Sequence, residues 1–323
     1  MENAVFEFLN RHSSIVITTH DHADADGLGA ERVFSQIALS LGKQVRIINS
    51  SPTPENFSFM DPDNTIEIWD SIRSELPQKA GLVILDTSDE YNVGKLKDYI
   101  SQAAEIFVID HHEIAPLSKL KGYIDTTASS TCELVIELAQ AAGIVLTPDR
   151  AKAAYAGIVY DTGFFAYSKT TSRTFKAALI LVDNGVKPYD VYRELNEKAT
   201  TGALLLQKTV FSTLEIHHQG KVAVQMLRKE DLENCGANFE DAEHFINLPL
   251  KSREIEVSIL IKENREGQTR CSLRSKGTVN VSKIAQTLGG GGHVSAAGFK
   301  SPHNVEETLR IILEKVGKAL EKK

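Results

Sequence analysis

Ile15-Val16-Ile17-Thr18-Thr19 runs directly into His20-Asp21-His22-Ala23-Asp24-Ala25-Asp26-Gly27. The first five residues are all β-branched, which marks a strand buried on both faces. Gly27 to Leu41 then has a helical period. A buried strand, a polar turn and a helix in that order open a parallel sheet with helical crossovers. Working outward, Val45-Arg46-Ile47-Ile48, Leu82-Val83-Ile84-Leu85 and Ile106-Phe107-Val108-Ile109 are further strands. The last two end, like the first, at polar residues: Asp86, and Asp110-His111-His112. Ligands of an open α/β sheet bind beyond the carboxyl ends of its strands. Three polar clusters are therefore expected on one edge of one sheet.

Residues 130 to 211 read as mostly helical. Ser130 followed by Glu133 fits a capping box for a helix from Cys132 to Ala142, and Gly143 fits its C-terminal stop. Pro148 opens a helix toward Tyr160, and helical periods cover Ser172 to Asp183 and Tyr189 to Glu197. Beyond about residue 212, period-two alternation appears at Lys221–Met226, Ile255–Ile261 and Thr269–Arg274, the pattern of a half-exposed sheet. Val305 to Leu320 is an amphipathic helix. The expected fold is α/β. An N-terminal parallel sheet with helices on both faces spans 1–195, a helical linker 196–211, and a smaller α/β domain with a mixed sheet 212–323.

Composition excludes several classes. Of 323 residues, 42% are hydrophobic and 24% charged, the balance of an ordinary globular protein rather than a disordered or fibrous one. No apolar window approaches a membrane span, and the N-terminus lacks the basic and apolar regions of a secretory signal. Three scattered cysteines, Cys132, Cys235 and Cys271, point to reduced thiols and a cytosolic location, with no cysteine zinc site. A net charge of −7 disfavours duplex DNA as a partner.

The chemistry lies at the strand ends. His20, Asp24 and Asp26 have the spacing H-x-x-x-D-x-D; Asp86, Asp110, His111 and His112 end two further strands; Asp161 follows the helical run Ala153 to Tyr160. One aspartate at a strand end is usually a turn former or a helix cap. This many carboxylates on one edge repel unless cations sit among them. Two divalent ions sharing a carboxylate, roughly 3.5–4 Å apart, relieve that repulsion and clamp phosphorus for in-line attack. Mixed carboxylate and imidazole ligands suit Mn²⁺ better than Mg²⁺, with Zn²⁺ also compatible. Asp21, His22 and Asp89 read as turn residues.

A second constellation lies near the C-terminus. Gly289-Gly290-Gly291-Gly292-His293 precedes Ala296-Ala297-Gly298-Phe299, which reads as a small-residue helix start. Consecutive glycines let the backbone approach a ligand and present N–H groups to an anion. Upstream, in Ser272-Leu273-Arg274-Ser275-Lys276, Arg274 can hold a phosphate bidentately.

The four motifs at 20–27, 86, 110–112 and 161 resemble, in order and spacing, those of the DHH phosphoesterase superfamily. The Arg274 and Gly-His stretches resemble its DHH-associated C-terminal domain, so the resemblance spans nearly the whole chain. It implies that His20 and Asp24 hold one metal, that Asp26, His111 and Asp161 hold the other, and that Asp86 bridges them. Asp110 orients an imidazole from behind, and His112 faces the substrate phosphate. With Asp86, these two are the implied catalytic residues. The resemblance further implies that Arg274, Ser275, Gly290, Gly291, Gly292 and His293 bind the nucleotide end of the substrate and that the two domains close over it. One departure is visible: many relatives carry an arginine shortly after the second-motif aspartate, where this chain reads Tyr91-Asn92-Val93-Gly94.

The arrangement is most like the short-oligoribonucleotide hydrolases that also dephosphorylate 3′-phosphoadenosine 5′-phosphate. The implied activity is two-metal hydrolysis, with Mn²⁺ or another divalent ion, of short RNA such as pNpN. Cyclic dinucleotides or their linear products are the alternative substrates, and a non-catalytic nucleotide-binding module is the alternative of another class. With 7% aromatics and no added oligonucleotide-binding domain, a processive single-strand exonuclease is disfavoured. Family II pyrophosphatases lack the Gly-His run. No membrane partner is expected, and the C-terminal helix or the linker helix would provide a homodimer face.

Overall fold

The opening run forms β1 (Ser14–Thr18), at the middle of a parallel sheet. Its companions are β2 (Gln44–Asn49), β3 (Ile66–Ile68), β4 (Gly81–Leu85), β5 (Glu105–Asp110) and β6 (Gly122–Ile124), in the order β3-β2-β1-β4-β5-β6. Every pairing is parallel. This computed structural model describes residues 2–72, 76–77, 79–113, 120–264 and 266–321. The chain divides into two compact units, 1–198 and 199–323.

Alternation along the strands explains why helices cover both faces. Ile15, Ile17, Val83, Leu85 and Ile109 point to one side, against α1 (Glu2–Arg11), α2 (Ala25–Ser40), α5 (Thr131–Ala141) and α6 (Pro148–Asp161). Val16, Ile48, Leu82, Ile84 and Val108 point to the other, against Trp69, Leu96 and Tyr99 around α3 (Trp69–Ile72) and α4 (Lys97–Ile100). Side chains fully buried in this way each contribute about 1.5–3 kcal/mol. The short edge strands β3 and β6 carry no pattern that the sequence reading detected. The helices read at Ser172–Asp183 and near Tyr189–Glu197 are α7 (Ser172–Asp183) and α8 (Pro188–Asn196).

Two glycines let helix α2 reach α6. A Cβ on Gly29 would lie 2.7 Å from the Ala153 carbonyl oxygen, and one on Gly157 would lie 3.0 Å from that of Ala25. Backbone contact this close brings Asp26, in the first turn of α2, toward Asp161, the last residue of α6.

The second unit holds a mixed sheet in the order β11-β12-β10-β9-β8-β7. Its strands are β7 (Glu215–His217), β8 (Val222–Leu227), β9 (Val257–Glu263), β10 (Thr269–Ser275), β11 (Gly291–Gly292) and β12 (Ala296–Ser301). Only β8 and β9 pair in parallel. One face packs Val224, Ile259, Leu273 and Phe299 against α11 (Val281–Gln286) and α12 (Val305–Glu321). The other packs Leu227 and Leu260 under α9 (Thr201–Ser212) and α10 (Lys229–Cys235). Residues 196–211, read as a linker, thus include most of a helix whose Leu206 and Val210 are buried within the second unit.

One expectation is corrected. Ala296-Ala297-Gly298-Phe299 begins a strand, not a helix: β12 pairs with β10 from Arg274↔Ala296 to Thr269↔Ser301. Ala297 and Phe299, two apart, enter the apolar core, a strand period that small residues also satisfy.

Candidate metal centre

Past the tip of β1, the His20 ring lies with Nδ1 3.0 Å from the Asp21 carbonyl oxygen. A proton on Nδ1 donated to that carbonyl leaves the Nε2 lone pair for a cation. Nε2 is 3.6 Å from Asp24 Oδ1 and 3.7 Å from Asp86 Oδ2. Asp24 is also the N-cap of α2, accepting the N–H groups of Asp26 (3.0 Å) and Gly27 (3.1 Å). The capping role and a ligand role coexist in one side chain.

Asp86 follows β4 and is buried, with φ 62°. A non-glycine residue in the left-handed region carries strain of order 1–3 kcal/mol, which surrounding contacts must hold in place. Here its N–H donates to the Ile109 carbonyl at 3.0 Å, and its Oδ1 accepts the Thr131 hydroxyl at 2.8 Å. Past β5, His111 Nε2 is 3.1 Å from Asp161 Oδ2, 3.6 Å from Asp86 Oδ1 and 3.8 Å from Asp26 Oδ2. One Asp86 oxygen is thus near each imidazole.

Ligand atoms gather into three groups that could each hold an ion: His20-Asp24-Asp86, Asp26-His111-Asp161 and Asp86-His111-His112. Asp110, the buried last residue of β5, accepts both the His112 backbone N–H (3.1 Å) and Nδ1 (2.8 Å). The His112 side chain remains 55% exposed, so its other nitrogen faces outward. The structure therefore brings His20, Asp24, Asp26, Asp86, Asp110, His111, His112 and Asp161 together.

Electrostatics show what this cluster lacks. Burial pushes Asp26 up to about 6, helped by the nearby Asp161, and drives Asp86 well above the ordinary carboxylate range, helped by Asp26. Burial opposes charge on the imidazoles, but the carboxylates prevail. Asp24 and Asp86 raise His20 to about 11, and Asp161, Asp26 and Asp86 raise His111 to about 9. Protons are held where divalent cations would otherwise sit, and loading a cation would release them. Among the described residues, His111 Nδ1 and Asp110 Oδ2 are buried with no hydrogen-bond partner, and His111 Nε2, although 3.1 Å from Asp161 Oδ2, makes no well-aligned hydrogen bond. Orphaned imidazole nitrogens among crowded carboxylates fit a pair of divalent ions.

Sequence reasoning missed Thr131. The first turn of α5 supplies three donors: Thr131 N to Asp26 Oδ2 (2.6 Å), Cys132 N to Asp26 Oδ1 (2.8 Å), and the Thr131 hydroxyl to Asp86. The only sequence signal is its place after the N-cap Ser130, which accepts the Glu133 N–H at 3.0 Å. Asp21, His22 and Asp89 are turn residues, as read. Asp21 accepts from Ser51 and from the His22 N–H, and Asp89 accepts the Tyr91 N–H.

In the second unit, Arg274 lies on β10, half-buried, and its guanidinium donates to the Leu273 carbonyl at 3.2 Å. The Ser275 hydroxyl accepts the Gly277 and Val279 N–H groups and closes the turn after β10. Gly290 donates to Ala285, ending α11, while Gly291 and Gly292 form the edge strand β11 beside β12. His293 is exposed, at a tight turn closed by its N–H to the Ala296 carbonyl at 2.7 Å.

Comparison with known proteins agrees with this architecture. Residues 14–160 match the DHH family, N-terminal domain, and residues 219–322 match the DHHA1 domain. A Thermus thermophilus protein named bifunctional oligoribonuclease and PAP phosphatase NrnA is 30% identical over 88% of this chain and 83% of its own. A Listeria monocytogenes protein named cyclic-di-AMP phosphodiesterase PdeA is 27% identical over 92% of this chain and 46% of its own. The crystal structure of an exopolyphosphatase-related protein from Bacteroides fragilis superposes with a TM-score of 0.90 at 24% identity, covering 98% of this chain and 95% of that one. The chain belongs to the DHH family, with a DHHA1 domain after the DHH domain.

Proposed function

We propose that this chain is a two-metal phosphoesterase that hydrolyses short oligoribonucleotides such as pNpN to mononucleotides and removes the 3′-phosphate of 3′-phosphoadenosine 5′-phosphate. The observation that carries the reading is Asp86, buried, strained and placing one oxygen toward each imidazole. The Thermus relative, named for both activities, supports the choice of substrate.

In this reading His20 and Asp24 would hold one ion, Asp26, His111 and Asp161 a second, and Asp86 would contribute to both. Manganese is the expected ion, because mixed nitrogen and carboxylate ligands suit it better than Mg²⁺. The ions supply Lewis acidity to the phosphoryl oxygens and acidify a water. The protein's own contribution is positional. Asp110 stays ionised: burial would raise it, but the hydrogen bond from His112 holds it below its ordinary value. It thereby fixes the His112 ring with the other nitrogen toward the substrate, where the imidazolium form would donate to a phosphate oxygen. Arg274, Ser275, His293 and Gly290, Gly291 and Gly292 receive the nucleotide end. Because the hydroxyl of Ser275 and the N–H of Gly290 are engaged internally, Arg274, His293 and the open Gly291 carry most of that role.

The working form is a cytosolic homodimer. Among the described residues no helix is long and apolar enough to cross a membrane, and Leu204, Leu205 and Phe211 stand exposed along α9.

A second reading, hydrolysis of cyclic dinucleotides or linear pApA or pGpG, is favoured by the Listeria relative. One assay separates them: phosphate or nucleotide release from pNpN, longer RNA, short DNA, cyclic dinucleotides and 3′-phosphoadenosine 5′-phosphate, with Mn²⁺ and with chelator. Fastest turnover of pNpN supports the proposal, and fastest turnover of a cyclic dinucleotide supports the second reading. Ion binding without turnover of any substrate makes the chain a non-catalytic nucleotide-binding module.

A further inference from the structure

Strand alternation in the second unit places Lys262 of β9, Arg270 of β10 and Lys300 of β12 on the face opposite the Val224–Phe299 core. The pairing registers are Lys262↔Arg270 and Arg270↔Lys300, so three cations lie side by side across three adjacent strands. Like charges directly opposite one another destabilise a sheet. A carboxylate beside them would relieve this cost, yet none of the three forms an ion pair with a described residue. Glu243 and Glu240 act on Lys262, and Glu243 also on Arg274, through space.

Lys262 sharpens the point. Its side chain is buried in a residue only 5% exposed, with Nζ 4.3 Å over the Phe239 ring. The Arg270 guanidinium lies 5.6 Å from the same ring. Burial lowers the Lys262 ammonium from its ordinary value. A lysine held here for solubility would extend into water.

The same face continues along β10 and β12 with small residues. Ser272 pairs with Gly298, and Arg274 pairs with Ala296 on one side and Ser258 on the other. The Ser258 hydroxyl is buried and has no hydrogen-bond partner among the described residues. Arg274 therefore stands at one end of a floor of small residues and the cationic row at the other. The separation is four residues, roughly 13 Å at about 3.4 Å per residue.

We propose that Lys262, Arg270 and Lys300 form a second phosphate-binding row, which takes a backbone phosphate of an oligoribonucleotide beyond the nucleotide held at Arg274. The row rests on the reading of Arg274 as the nucleotide anchor. It deepens that reading by making this face the feature that sets how strongly chain length affects binding.

The test uses the full chain with chelator present, so that nothing turns over. Fluorescence anisotropy measures the affinity of end-labelled di- and tetraribonucleotides across a salt series. The double variant Arg270→Gln, Lys300→Gln changes two exposed side chains and leaves the core alone. The expected result is a fall of about tenfold in the ratio of tetranucleotide to dinucleotide affinity. The slope of log affinity against log salt for the tetranucleotide should drop by about 1.4, two charges at about 0.7 each. An unchanged ratio and slope, or an equal loss for both lengths, overturns the row. Inorganic tripolyphosphate is the second probe: tighter binding of it than of the tetranucleotide assigns the row to polyphosphate and overturns the RNA assignment. Hydrolysis of pNpN by the unaltered chain with Mn²⁺ is measured separately. Its absence counts against the catalytic reading, while the length ratio alone judges the row.

Discussion

The two units carry opposite electrostatic debts. In the first, carboxylates crowd one strand-tip edge and draw protons onto His20 and His111. In the second, cations stand in register on a sheet face with no paired carboxylate among the described residues. Each arrangement costs stability in the free protein, and each is relieved by a ligand of the opposite sign. Divalent cations suit the first and phosphates the second, and a metal-loaded phosphoesterase needs both. The comparison also divides the labour. Changes in the first unit should act on ion binding and turnover, and changes in the second on substrate affinity alone.

The sharpest way to break this division is Asp86→Ala. It removes the carboxylate proposed to serve both ions and should reduce turnover to background while circular dichroism and thermal melting stay native-like. Retained Mn²⁺-dependent activity would contradict the bridging role. Next in size is Thr131→Val, which takes the hydroxyl from Asp86. Removing such an outer partner typically costs 10–100-fold in metal affinity. Mn²⁺ titration followed by electron paramagnetic resonance should show that loss, with Thr131→Ser restoring most of it. An unchanged Mn²⁺ affinity would make the hydrogen bond incidental.

Arg274→Gln probes the other side of the division. Losing hydrogen bonds from a charged donor, at about 1.5–3 kcal/mol, should raise KM roughly 10–100-fold. Mn²⁺ affinity should not move. If both quantities change together, the two regions do not act separately.

The smallest effect concerns stability. Glu31, fully buried on α2, accepts the Asn49 side-chain N–H at 3.0 Å, but its Oε1 has no partner among the described residues. Burial raises its carboxyl to about 8 from an ordinary 4.5. Between those values the folded chain holds a proton that the unfolded chain has lost, so stability declines as pH rises through this window. Glu31→Gln should flatten the decline and raise stability above pH 8 by on the order of 1–3 kcal/mol, the cost of an unsatisfied buried polar group. Thermal melting from pH 5 to 9 measures it, and a variant less stable at every pH would refute the account.

Much of this was legible in the residues. Ile15–Thr18, Leu82–Leu85 and Ile106–Ile109 are strands because continuous apolar runs have no other stable place than a doubly covered sheet. Ser172–Asp183 is helical over the range its period indicated. The residues of the candidate metal centre stood out because His and Asp recur just beyond strand ends. The edge strands Ile66–Ile68 and Gly122–Ile124 were not legible, since three residues at a sheet edge need bury little. Nor was Ala296–Ser301, where small side chains suit helix and strand alike and only pairing with Thr269–Ser275 decides.

The residue pattern by itself determined the sheet, its polar edge and the side-chain types gathered there, because periodicity and side-chain chemistry are local properties. Thr131 beside Asp26, 105 positions away, and Lys262, Arg270 and Lys300 in one row were decided only by tertiary structure. Helix packing and strand register bring together residues that chain order keeps apart, and no local period records which partners will meet.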